Sequence, residues 1–180
     1  MHEIKPYIPE GVTYTSHHPM AGREKNGFHS RDVKMFEGAN FIIVIGDKSK
    51  SSDIDLLKSV ANDLKFGKIT VTDAHTHDEL IAFTSQLTHA LAVALMHSDH
   101  LTETKKATGD SFRDLTRIAK INEVMWSELF LENKEALIKK INDFSHELHH
   151  LKKMIENDEL ESLKNYLKEA KEKRKAFDTD

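Results

Sequence analysis

The stretch "THDELIAFTSQLTHALAVAL", Thr76 to Leu95, decides how the chain is read. Leu80, Leu87, Leu91 and Leu95 recur at whole helical turns and make one apolar stripe, while Thr76 and Glu79 have capping-box spacing, which predicts a helix opening at Thr76. Polar groups interrupt it: Ala82, Gln86, His89 and Val93 share a face with Ser85 beside them. Buried, such groups need a partner, either the protein or a ligand. Beyond this stretch the chain reads as helix almost to its end. A second box, Ser111 to Asp114, opens a shorter helix. Leu137, Ile141, Phe144, Leu148, Leu151 and Ile155 alternate spacings of four and three, a pattern that requires a partner helix. Asn157-Asp158 interrupts it before Leu160, Leu163 and Leu167 resume the stripe, and the tail from Lys168 reads as a solvated, frayed face.

Toward the N-terminus the character changes near residue 72. "VTYTS" (Val12 to Ser16), "NFIIVIG" (Asn40 to Gly46) and "KITVT" (Lys68 to Thr72) read as strands. A helix with apolar positions Ile54, Leu57, Ala61 and Leu64 lies between the last two, opened by Ser52 and Asp55 at capping-box spacing. Strand, helix, strand predicts an α/β unit, and the unbroken "FIIVI" suits a strand covered on both faces. The expected fold is therefore mainly α, with a small α/β part over residues 1–72 and a helical domain over residues 73–180.

Composition narrows the function. The 180 residues are 38% hydrophobic and 31% charged with a net charge of -4, and the lysines are interleaved with acids, which argues against a nucleic-acid partner. Cysteine is absent, so disulfides, thiolate nucleophiles and cysteine-based zinc sites are excluded. No secretory signal opens the sequence, and its longest unbroken apolar run, "FIIVI", is too short to span a membrane, so a cytoplasmic location is the default expectation. His146, His149 and His150 have helical spacing, yet no HExxH motif or committed carboxylate accompanies them. A solvated cluster is favoured over a metal site.

Two further segments carry chemistry. In "HHPMAGREKNGF" (His17 to Phe28) the proline after His18 restricts that residue to extended backbone, so its imidazole sits at the end of a strand, where a general base is well placed. In "FRDLTRIAK" Arg113 and Arg117 are four apart and Asp114 lies three before Arg117, an arrangement that aims a guanidinium at a carboxylate while an acid holds it. Taken singly, each has a blander reading: a core histidine, or a surface ion pair worth little.

The combination is more specific. HPMAG with Glu24 and Gly27, then "HDELIAFTSQLTHALA" (His77 to Ala92), then "SFRDLTRIAKINEVMW" (Ser111 to Trp126) followed by Asn133, together resemble the prephenate dehydrogenase family, including its arogenate-using members, across essentially the whole chain. The resemblance implies an enzyme of tyrosine biosynthesis that oxidatively decarboxylates prephenate with NAD or NADP, working as a homodimer through its helical half. It also implies that residues 1–72 are the end of a Rossmann-type dinucleotide-binding domain. His18 matches the family histidine that takes the proton from the substrate's ring hydroxyl, and Arg117 the arginine that binds a substrate carboxylate. His89, Ser85, Gln86 and Trp126 fall on pocket positions, and Glu24 and Asp114 on acids near the pocket entrance. Gln86 stands where many members carry a histidine, and it cannot become charged.

The seven glycines, at 11, 22, 27, 38, 46, 67 and 109, form no GxG, so the fingerprint that brings a turn against a pyrophosphate is missing. On this reading the chain lacks the first half of the cofactor domain and is inactive alone. The alternatives are a noncatalytic helical dimerisation module of the same descent, or an arogenate dehydrogenase.

Overall fold

The computed structural model describes residues 4–22, 29 and 31–178, and the packing divides the chain into two compact units, one running to Ala136 and the other beginning at Leu137. The composition change at residue 72 falls inside the first unit.

In the first unit a sheet in the order β1-β2-β3 is made by β1 (Ser16–Met20), β2 (Asn40–Ile45) and β3 (Lys68–Asp73). β2 and β3 are parallel, with Asn40 opposite Lys68 and Ile45 opposite Asp73, and α1 (Ser51–Asp63) makes the crossover that parallel strands require. Phe41 to Val44 are all buried, as the unbroken apolar run required, because β2 is the central strand. Phe41, Ile43, Ala61 and Phe66 form the core beneath α1. At its edge β2 and β3 begin so close together that a side chain on Gly67 would strike the carbonyl oxygen of Gly38 at 2.6 Å.

The first strand departs from expectation. It starts at Ser16 instead of Val12 and runs through His18 and Pro19, antiparallel to β2. An edge strand tolerates a proline, which lacks an N–H to donate, and the threonines of "VTYTS" serve another purpose: Thr13 and Thr15 donate to the carboxylate of Asp53.

All three expected capping boxes are displaced. α1 begins at Ser51, and Asp53, not Asp55, accepts from the backbone N–H of Lys50. α2 (Ala74–Ile81) is capped by Asp73, which accepts from both the N–H and the hydroxyl of Thr76. α4 (Asp110–Thr116) follows Gly109 without a side-chain cap. In the first two cases a residue nearer the helix start takes the free N–H.

α2 continues through a π-helical turn, Ala82–Gln86, into α3 (Leu87–His97). Ala74–His97 is thus one continuous helix, long and apolar enough to cross a membrane by length and composition, where none was expected. Ala82, Gln86, Leu87 and Ala92 are buried along it. After α4 comes α5 (Glu123–Glu132), whose N-cap Asn122 accepts from the N–H of Met125, and then α6 (Lys134–Glu156). Within the second unit α6 ends at the expected Asn157-Asp158 break, where Asp158 takes a positive φ of 54°. α7 (Leu160–Lys175) follows and stays helical well into the tail expected to fray.

Candidate functional site

The site is built upward from β1. His18 pairs in register with Ile42, and its Nδ1 lies 2.9 Å from Nε2 of His77 in the first turns of α2. Nδ1 of His77 is in turn 2.8 Å from Oδ1 of its neighbour Asp78. A carboxylate and two imidazoles therefore form a line from α2 to the sheet. Burial, then the charges of His77 and His17, hold the pKa of His18 below its ordinary 6.5, so its ring stays neutral and able to accept a proton to lower pH. His17, on the opposite face of the strand, stacks on Phe41.

A second cluster lies along the long helix. The π turn directs the N–H of Leu87 to the carbonyl of Ala82, five residues back. One turn on, the Ser85 carbonyl accepts from Thr88 Oγ1 at 2.7 Å and from His89 Nδ1 at 2.8 Å. A carbonyl only accepts, so Nδ1 of His89 bears the hydrogen and Nε2 of the neutral ring is an acceptor. That atom becomes a donor to a carboxylate only when the ring is protonated. The His89 ring stacks on Trp126 at 3.7 Å, and Phe130 meets Trp126 edge-on.

Gln86 and Asn133 tie these parts together. Gln86, 4% exposed, donates from Nε2 to the carbonyl of Leu129 in α5, and its Oε1 accepts from Nδ2 of Asn133 at 2.9 Å. The same Asn133 nitrogen donates to the backbone carbonyl of Asp78 at 2.9 Å. The residue beside His77 is thereby fastened to the π turn and to the end of α5. Arg117 follows α4 in a short 3₁₀ turn, Arg117–Ala119, that packs on α3, the helix carrying His89.

The domain family described as "Prephenate dehydrogenase, dimerization domain" matches residues 73–169, more than half the chain. The chain belongs to this family. It is 27% identical over 172 residues to a prephenate dehydrogenase of Bacillus subtilis, covering 93% of this chain and 46% of that protein. It is 29% identical over 179 residues to a cyclohexadienyl dehydrogenase of Zymomonas mobilis, covering 96% of this chain and 60% of that one. Among solved structures, the prephenate dehydrogenase from A. aeolicus in complex with hydroxyphenyl propionate and NAD+ superposes with a TM-score of 0.78 at 36% identity, over 91% of this chain and 58% of that one. The chain spans about half the length of the curated relatives it matches.

Against this family membership the expected site residues divide. His18 joins His77. Ser85, Gln86, His89 and Trp126 share the second cluster, but both ends of the Gln86 amide are engaged by the protein, which gives it a positioning role. Asp114 is exposed on α4, next to Arg113, which bonds to Asp110 and to the Thr108 carbonyl. Glu24 lies outside the described residues. His77 was missed because "THDE" reads as a cap; its place within the family block was the available signal. Of the histidines expected to be solvated, His146 and His149 are exposed on α6, and His150, also exposed, meets Tyr166 edge-on.

The turn after β2 offers no free anchor for a dinucleotide's phosphate. The turn after β2, where a phosphate would approach α1, presents the carboxylate of Asp53, already accepting from Lys50, Thr13 and Thr15. A cleft of about 230 Å³ at the carboxyl ends of β2 and β3, lined in part by Lys5, Tyr14, Asp47, Lys48 and His75, contains none of the expected site residues.

Proposed function

We propose that this chain is the substrate-binding and dimerisation half of a cytoplasmic dehydrogenase that oxidatively decarboxylates prephenate, with NAD or NADP, in tyrosine biosynthesis. The observation that carries the reading is His18, a half-buried imidazole kept neutral by its surroundings within a chain of this family. Oxidising a carbon that bears a hydroxyl needs a base for the O–H proton, and His18 is that base. Loss of CO2 from the ring yields an aromatic product, so the protein's remaining task is to orient a dianion and exclude water. Arg117 supplies a planar cation suited to a carboxylate, and His89 with Trp126 supplies a wall whose outer nitrogen meets the substrate. Since the sequence carries no GxGxxG turn to hold the cofactor's phosphates, these 180 residues alone are expected to show no turnover.

An arogenate-using activity is the second reading, supported by the cyclohexadienyl dehydrogenase among the relatives. The deciding experiment is Arg117→Ala in the complete enzyme. Loss of one charge-assisted carboxylate contact is expected to weaken prephenate binding by about 1.5–3 kcal/mol, tenfold or more, while leaving the NAD constant in place. A rise in the cofactor constant alone removes Arg117 from the substrate site.

A further inference from the structure

We infer that Asp78 and His77 are positioning residues that fix the tautomer of His18, placing its hydrogen on Nδ1 and leaving Nε2 as the proton acceptor. The inference rests on His18 being the base proposed above, but the tautomer itself is measurable without substrate.

The assignment follows from which atoms can donate. An ionised carboxylate only accepts, so across the 2.8 Å contact with Asp78 the hydrogen belongs to Nδ1 of His77. In the neutral ring the lone pair then lies on Nε2. That nitrogen is 2.9 Å from Nδ1 of His18, which must supply the hydrogen. Only Nε2 of His18 is left with a lone pair. When a substrate hydroxyl gives up its proton, the O–H bond breaks and the new N–H forms at Nε2. The resulting imidazolium keeps its Nδ1 hydrogen bond to His77, with the Asp78 charge one ring behind it.

The line is held at both ends. Register with Ile42 and the following proline fix His18 on the strand. At the other end the His77 side chain is 19% exposed, and the Asp78 backbone carbonyl accepts from Asn133, itself bonded to buried Gln86. Among the described residues, the titratable groups whose charge acts on His18 are His77 from α2 and, from the other face of its own strand, His17. Asp78 reaches it only through His77.

Histidine-¹⁵N labelling of the 180-residue chain and long-range proton–nitrogen correlation at neutral pH test the assignment. In the wild type, His18 Nε2 is expected at the shift of an unprotonated nitrogen and Nδ1 at that of a protonated one. Asp78→Ala removes the acceptor that keeps the hydrogen on Nδ1 of His77, and is expected to let the His18 hydrogen redistribute between its two nitrogens. His77→Gln, which keeps an acceptor near the same place, is expected to preserve the wild-type tautomer. A wild-type spectrum with the hydrogen on Nε2 overturns the inference whether or not a variant folds, and so does an Asp78→Ala spectrum unchanged from the wild type. In the complete dehydrogenase Asp78→Ala is expected to lower kcat about tenfold or more with the prephenate KM little changed, and a loss confined to KM overturns the positioning role. Should the complete wild-type enzyme fail to turn over prephenate, the functional proposal falls while the spectra still decide the tautomer.

Discussion

Both compact units carry exposed ion pairs, but the first also holds a partly buried polar network. In the first, Gln86, Asn133, His77 and His18 are partly or fully buried and each is spoken for by a named atom at 2.8 to 2.9 Å. In the second, ion pairs such as Lys152–Glu156 and Lys164–Glu161 lie in solvent, where such pairs add little. Its two helices also leave apolar residues uncovered at helical spacing: Leu148 is 55% exposed, Ile155 57%, Leu160 60% and Leu167 55%. A unit that satisfies its polar groups internally is built to hold a geometry. The second leaves an apolar stripe on two successive helices, and the match to the family described as a dimerization domain takes in residues of both units.

The sharpest way to break the comparison is to remove chemistry from the first unit without touching the second. His18→Asn in the complete enzyme is expected to lower kcat by about 10²- to 10⁴-fold, the usual worth of a positioned base, with the dimer intact by sedimentation. A variant retaining near wild-type kcat moves the base elsewhere. The converse experiment places charges on the stripe. Leu148→Glu with Ile155→Glu is expected to turn a micromolar dimer into monomers, since each buried aliphatic side chain contributes about 1.5–3 kcal/mol and a two-fold interface counts it twice. Far-ultraviolet circular dichroism is expected to stay helical. A double variant that sediments as a dimer puts the interface on another surface.

A smaller effect probes the internal satisfaction of the first unit. Gln86→Leu keeps the volume roughly but strands the Leu129 carbonyl and removes the acceptor for Asn133. The expected cost is about 1–3 kcal/mol in urea unfolding. No measurable loss means that water or a rearranged Asn133 replaces the amide.

How much of this the sequence disclosed depends on the range of the interaction. Periodicity located the long helix, the parallel pair around α1 and the break at Asn157-Asp158, because each is decided by residues within a few turns of one another. Helix starts were misplaced by a few residues. Several side chains in "DAHTH" and "KSKSSD" compete for the same N–H groups, and only geometry selects Asp73 and Asp53. The long-range part was less legible. His18 and His77 are 59 residues apart and Gln86 and Asn133 are 47 apart, and nothing in local spacing pairs them. The π turn was equally hidden, since its five residues keep a helical pattern while shifting the register by one.

The smallest expected effect is also the most specific to His18. Its folded pKa lies below 6.5 because burial, His77 and His17 all disfavour its charge. The unfolded chain, lacking those neighbours, takes up the proton first as pH falls, so the unfolded state gains protons before the folded one does. The stability drawn from neutral His18 is therefore complete above about 6.5 and declines as pH falls through the folded value. Other groups titrate over the same range, so the informative quantity is the difference between the wild type and His18→Gln, which has nothing to protonate there. Urea unfolding at a series of pH values is expected to show that difference constant above neutrality and drifting in favour of the variant on acidification. A difference that stays flat to acid pH means the folded and unfolded rings titrate alike. Drift toward the wild type means that the proton is welcomed in the folded state, with the Asp78 charge reaching His18 through His77 more strongly than burial opposes it.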